Sequence, residues 1–429
     1  MKIEIFPSAS GDCLLLTSSD RSKRLLADAG LPEAYDEFIA GPLSKLRDSG
    51  KEIDVAYVSH IDRDHIGGIL KLLDDEVKWR AFEHLKSKGG RMKPPKVPRP
   101  PKIAQIWHNA FLEDIERTRK VKLGSALAAS AGALAGLNAA DLGTAGTMAL
   151  AAETEMLALS VADAIEVNWR IGPDQLDIPL NPDFKGELMT ARPGKPIRLG
   201  TIDITVLGPT ETELEELRKE WIDYLTDKAA YIEKMRKRHK RDVESLPAGT
   251  SPAELASLSH AFAKTIEKDV TPPNLASLVL LVEEAGKRIL LTGDAGDVSL
   301  IRYLDEAGLF DSEGRIEVDV LKVPHHGAKN SYSDEFARRV RASHLIFCGD
   351  GEHHNPEPDV VAGYLKAVAA EPLSGGRTTT FWFNWSSDLA AQHLGLWKDV
   401  EDQFRPSALP AGVRREALGK GADRLTLDL

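Results

Sequence analysis

Apolar positions in the first part of the chain fall in short runs, each closed by glycine, aspartate or histidine. Lys2–Phe6 alternates like a half-buried strand, and Cys13–Thr17 is a buried run after a Gly11-Asp12 turn. Arg24–Ala27 then ends in Asp28-Ala29-Gly30. Helical spacing takes over at Glu33–Asp48, Ile53–Val58 returns to strand, and Ile66–Leu73 begins a helix. The pattern breaks from Asp74: residues 78–102 are basic and proline-rich, and their Pro-Pro end predicts an extended loop. Ile103–His108 resumes a strand. Two insertions follow. The first, 109–190, is helical and rich in Ala and Leu from Leu112 to near Asn168. The second, 211–270, carries a long charged helix with Lys234-Met235-Arg236-Lys237-Arg238-His239-Lys240-Arg241. Strands return at Ile197–Leu199, Ile202–Leu207, Leu275–Glu283, Arg288–Thr292, Val318–Val323 and Leu345–Cys348. Strand-rich halves separated by helical insertions predict one α/β sandwich over 1–429 rather than two independent domains.

Composition narrows the chemistry. A net charge of −11 argues against general affinity for nucleic-acid phosphates, a local basic groove excepted. Two cysteines, Cys13 and Cys348, exclude both a disulfide framework and a multi-thiolate zinc site. Each reads as a small buried apolar residue. The N-terminus lacks the apolar run of a signal peptide. The alanine-rich stretch Gly124–Val161 holds Asn138, Asp141, Glu153 and Glu155 and would insert poorly into a bilayer. The expectation is a soluble cytoplasmic protein without membrane attachment.

Three segments carry candidate chemistry. His60-Ile61-Asp62-Arg63-Asp64-His65 packs four metal-competent side chains directly after an apolar strand. Histidine nitrogen and aspartate oxygen are both zinc ligands, and Gly67-Gly68 lets the backbone turn into the next helix. The strand Arg288–Thr292 ends in Gly293-Asp294, and Val320–Val323 runs into Pro324-His325-His326-Gly327. Any one of these could be a turn or a satisfied polar pair. Their recurrence after apolar strands points to strand ends converging on one sheet edge.

Together with Gly11–Leu16, Asp28-Ala29-Gly30 and the later His354-Asn355-Pro356, these motifs resemble the metallo-β-lactamase superfamily. Within it they resemble the branch of phosphorylcholine esterase and the hydrolase domain of ComEC-type DNA-uptake proteins. The likeness covers 1–70, 195–210 and 270–385, with both insertions outside it. It implies a four-layer αβ/βα sandwich with two divalent ions, zinc or manganese, at one sheet edge. One ion would take His60, Asp62 and one histidine of the 325–326 pair; the other would take Asp64, His65 and the remaining histidine. Asp294 would bridge them. Asp62 stands where better-known members carry a second histidine, and His108 is the one alternative mid-chain ligand.

Two such metals would activate a water at neutral pH, with Asp64 orienting it as well as ligating. His354 reads either as a substrate contact or proton donor to the leaving group, or as a surface histidine, as does His353 beside it. Lys329, Asn330 and Ser331 offer an anion contact or a plain helix start at Ser331 or Ser333. Asp28 is expected to brace the metal loop rather than ligate. The basic tract 78–102 and helix 234–241 could line a polyanion groove or form a solvated charged face. Phe381–Trp385 could stack a base or form a buried final strand. The leading expectation is a phosphodiesterase acting on nucleic acid or another phosphodiester. The alternatives are a lactonase or thioesterase on the same metals, or an effector of a DNA-uptake or cell-defence assembly whose insertions recruit a protein partner.

Overall fold

The structure is a computed structural model that describes residues 1–90, 93–109, 163–164, 166–215, 277–390, 392–406 and 409–429. The chain divides into two compact units, one of 1–109, 166–213 and 274–429, the other of 110–165 and 214–273. The second unit, with the basic helix expected at 234–241, lies almost wholly outside the described residues.

The first unit holds two sheets. In the six-stranded one, β1 (Lys2–Ile5), β2 (Leu14–Thr17), β3 (Arg24–Ala27), β4 (Val55–Tyr57) and β5 (Ile106–Trp107) lie side by side, and β14 (Leu425–Asp428) flanks β1. The eight-stranded sheet runs in reverse order from β13 (Val413–Ala417) through β12 (Thr379–Phe383), β11 (Val340–Phe347), β10 (Ile316–Lys322) and β9 (Lys287–Leu291). It finishes with β8 (Val279–Glu284), β7 (Ile202–Gly208) and β6 (Ile197–Leu199).

Strand alternation explains the layering, because side chains of opposite parity face opposite sides. Ile3, Ile5, Leu14, Leu16, Leu25 and Val55 meet Ile204, Val206, Leu280, Ile289 and Val320 in one core between the sheets. On the other face of the eight-stranded sheet, Leu281, Leu290, Leu321, Phe347, Phe381 and Phe383 pack beneath helices. These are α4 (Asp297–Glu306), α5 (Asp334–Arg339), α6 (Pro358–Ala370) and α7 (Leu394–Asp402). The six-stranded sheet is covered by α1 (Pro32–Ala34), α2 (Ala40–Asp48) and α3 (Arg63–Ser87). The four-layer αβ/βα sandwich follows.

The structure departs from the sequence expectation in several places. Helix α3 does not stop at Asp74 but runs to Ser87, because Lys78–Asp75 (2.7 Å) and Arg80–Glu76 (3.2 Å) pairs support its polar turns. Arg99 closes on Glu83 and stacks over Trp79, so with Lys78 and Arg80 three cations of the basic tract are paired on the surface. Residues 166–190, expected within the first insertion, belong to the first unit: Phe184 and Met189 enter its core, and helix ends near Ile171. Phe381–Trp385 is not the final strand. Phe381 and Phe383 are buried against Phe404 and Trp397, and Trp382 Nε1 donates to His344 Nδ1 (3.1 Å), with β13 and β14 still to follow.

Candidate metal centre

The histidine loop leaves β4, and two glycines fix its position. A Cβ on Gly11 would lie 1.6 Å from the Asp64 carbonyl oxygen, and one on Gly68 would lie 1.9 Å from that of Ala29. No side chain fits at either place, so the turns before β2 and after β3 lie directly against the start of α3. Asp62 occupies the cap position of α3 but its carboxylate makes no cap bond, forgoing about 1 kcal/mol of helix stability. It faces His60 Nε2 instead, at 3.5 Å.

From the other sheet come Asp294, after β9, and the His325-His326 pair, after β10. The pair turns with φ of 48° and 57°, in the left-handed region that costs a non-glycine residue of order 1 kcal/mol or more. The expected single sheet edge is therefore two edges: the strand ends of both sheets face each other across the cluster. One sheet supplies His60, Asp62, Asp64 and His65, and the other supplies Asp294, His325 and His326.

The geometry centres on one atom. Asp294 Oδ2 lies 3.6 Å from His60 Nε2, 3.4 Å from His65 Nε2, 3.7 Å from His325 Nε2 and 3.2 Å from His326 Nε2. Asp64 lies 3.9 Å from His65 Nε2 and 3.6 Å from His326 Nε2. Each ring is oriented from behind through Nδ1: His60 by Ser59 Oγ (3.0 Å), His65 by Asp28 Oδ2 (3.0 Å), His325 by Ser331 Oγ (3.1 Å) and His326 by Asp12 Oδ1 (3.1 Å). Asp28 braces the loop as expected, accepting also from the Ser59 backbone N–H and hydroxyl, both at 2.7 Å. Ser331, read as a possible anion contact, is buried and orients His325. Lys329 reaches the surface carboxylate of Asp359, and the helix start is Ser333, which accepts from the Phe336 N–H.

Two residues escaped the sequence reading. Lys322, at the end of β10, is buried, with its Nζ 2.5 Å from Asp12 Oδ2, 3.0 Å from the Gly293 carbonyl and 3.5 Å from Asp294 Oδ1. Asp12 joins this ammonium to His326. Burial alone would raise the Asp12 and Asp294 carboxyls. The Lys322 ammonium, His326 and His65 together outweigh it at Asp12, and the ring of imidazoles does so at Asp294, holding both below their ordinary range. Conversely, burial opposes charge on His326, yet Asp294 and Asp12 raise it to about 9.

These residues fit divalent cations on three counts. Asp12, His65, Asp294 and His326 alone offer ligand-type atoms within 4.8 Å of one another. His60 Nε2 and Asp294 Oδ1 are buried without hydrogen-bond partners, and His65 Nε2 faces His326 Nε2 at 3.1 Å. Two ring nitrogens that close want a cation between them, and imidazoles fixed by an outer carboxylate are the usual form of a ligating histidine. Asp12 is better read as support than as ligand, since Lys322 and His326 Nδ1 already hold its oxygens.

Residues 9–134 match the model of the metallo-beta-lactamase superfamily. The chain carries a metallo-β-lactamase domain. A domain of this superfamily implies a metal-dependent hydrolase. A curated relative, ComE operon protein 3 of Bacillus subtilis (strain 168), is 32% identical over 95 residues. That stretch covers 22% of this chain and 12% of the relative, so the match spans a small part of that protein's length.

Elsewhere in the first unit, His108 follows β5 and is buried, with neither ring nitrogen partnered among the described residues, and burial lowers it to about 4. Its ring makes no hydrogen bond to the cluster among the described residues. His353 and His354 are exposed on the loop after β11. That loop packs on the metal turn: Glu357 N–H donates to the Gly327 carbonyl (3.1 Å), and a Cβ on Gly349 would lie 3.7 Å from that of His326. No helix among the described residues is long and apolar enough to cross a membrane.

Proposed function

We propose that the domain is a binuclear phosphodiesterase. The observation that carries this reading is the convergence of four Nε2 atoms on one oxygen of Asp294. In this reading His60, Asp62 and His325 hold one divalent ion, Asp64, His65 and His326 hold the other, and Asp294 serves both. The distances favour His325 for the first set and His326 for the second. A nitrogen and oxygen donor set without thiolate suits zinc or manganese. When bound, such a pair supplies a water acidified toward neutrality and a positive charge for phosphoryl oxygens.

The protein's own groups do the positioning. Ser59 Oγ, hydrogen-bonded to Asp28, lies between His60 and His65 and fixes both rings. Asp64, half-open to solvent, is in place to accept the proton of the attacking water. His354, on the loop packed against the His326 turn, would donate to the leaving oxygen. Three aspartates in the set suit a hard divalent ion, the kind that takes phosphoryl oxygens as ligands.

The test joins metal analysis to a substrate panel of bis-p-nitrophenyl phosphate, DNA, RNA and lactones. We expect two metal equivalents and chelator-sensitive cleavage of a phosphodiester. Turnover of lactones alone would replace this reading with a carboxyl hydrolase.

A further inference from the structure

The outer face of the six-stranded sheet holds a second set of charged residues. Register places Lys2 opposite Thr17 and Thr17 opposite Arg24, with Glu4 beside Leu15 on the same face. With Arg21, Lys45, Lys51 and Arg424 they line a cavity of ≈ 260 Å³ beneath α2. Six of its lining residues are cationic and one, Glu4, is acidic, in a chain whose net charge is −11.

The existing partners do not balance this charge. Glu4 is already held by Arg424 (2.7 Å) and Lys2 (3.1 Å). Arg21 and Lys45 make only long exposed pairs, with Asp428 at 3.6 Å and Asp423 at 3.8 Å, a kind worth little. Arg24 is the informative residue. It is 5% exposed, its guanidinium donates to the Arg21 carbonyl (2.8 Å), and among the described residues no carboxylate lies within ion-pair distance of it. A buried guanidinium without a counter-charge is costly, so its retention beside an open cavity implies an anion.

We propose that this cavity binds a small phosphate-bearing anion, gripped by Arg24 from within and by Lys45, Lys51 and Arg424 at the mouth. A guanidinium fork with flanking ammoniums matches phosphate oxygens. The site is separate from the metal centre. Arg24 and Thr17 stand at one end of their strands, whereas Asp28 and Asp12 stand beyond the other, four and five residues on, roughly 13–16 Å away at the rise of a strand.

Inorganic phosphate is the probe, titrated calorimetrically into the protein as purified, at constant ionic strength. Arg24→Gln should weaken binding at least roughly tenfold, the scale of one charge-assisted hydrogen bond, while bis-p-nitrophenyl phosphate turnover stays within about twofold. Unchanged phosphate affinity in Arg24→Gln would assign the anion to the metal centre and overturn the proposal. So would the absence of saturable heat in the wild type, or equal competition by chloride. If Arg24→Gln does not fold, the double variant Lys45→Glu with Arg424→Glu alters only the mouth. It should abolish binding, and retained binding would equally sink the site.

Discussion

Two histidine pairs invite comparison. His325-His326 follows β10 and His353-His354 follows β11, the adjacent parallel strand. All four residues sit in the left-handed region, with φ of 48°, 57°, 56° and 66°. The local sequence signal, a His-His pair after an apolar strand, is the same. The surroundings are not. In the first pair each ring is held through Nδ1 by Ser331 or Asp12 and directs Nε2 to Asp294. In the second pair the rings are exposed, and among the described residues only the backbone is tied, by Gly351 N–H to the Asn355 carbonyl (3.0 Å) and His354 N–H to the Gly351 carbonyl (3.1 Å). Backbone strain therefore marks both places, but only contacts from distant parts of the chain turn a pair into a cluster. Strain at an exposed pair with nothing to hold its rings is an outlier that asks for a function.

The largest effect should come from removing the atom common to the first pair. Asp294→Ala is expected to lose more than one metal equivalent and nearly all hydrolysis, because the carboxylate neighbours four imidazoles. His326→Ala should cut phosphodiester turnover at least roughly 10²-fold, the scale of a lost metal function. Full metal content in Asp294→Ala, read by elemental analysis, would break the first half of the comparison.

Next in size is the support behind His326. Lys322→Met leaves the buried Asp12 carboxylate without its ammonium, and losing one partner of such a pair costs about 3–5 kcal/mol. Urea denaturation should register that loss, and adding Asp12→Asn should restore part of it. A single variant as stable as the wild type would mean that the pair does not hold the turn.

How much of this was legible from sequence follows the same division. The strand ends can be read because an apolar run followed by histidine or aspartate is a local signal. Asp12 was read as half of a Gly-Asp turn, because its partner His326 is 314 residues away. Lys322 looked like an ordinary polar position in an alternating strand. The continuation of α3 was missed because its last turns are charged and rest on ion pairs rather than on an apolar stripe. The convergence of two sheet edges, rather than one, depends on the face-to-face packing of the sandwich, which no local window encodes.

His354 tests the second pair more gently. His354→Ala should keep full metal content and the wild-type unfolding midpoint, while kcat and kcat/KM fall together, as for a group that touches only the transition state. A lost metal equivalent would move His354 into the cluster, and unchanged kinetics would return it to the surface.

The smallest effect separates the pairs by sign. Glycine enters the left-handed region without steric cost, so either first histidine would gain backbone relief on replacement. For His353→Gly that relief is offset only by the freer unfolded chain, leaving a net stabilisation of about 0.5 kcal/mol and unchanged metal content. His325→Gly gains the same relief but loses the Ser331 hydrogen bond and the ring facing Asp294, so its thermal midpoint should fall and metal should be lost. Comparing the two midpoints in one series cancels the glycine entropy they share. If both fall alike, the ring of His353 is held as firmly as that of His325, and exposure is the wrong measure of which pair is engaged.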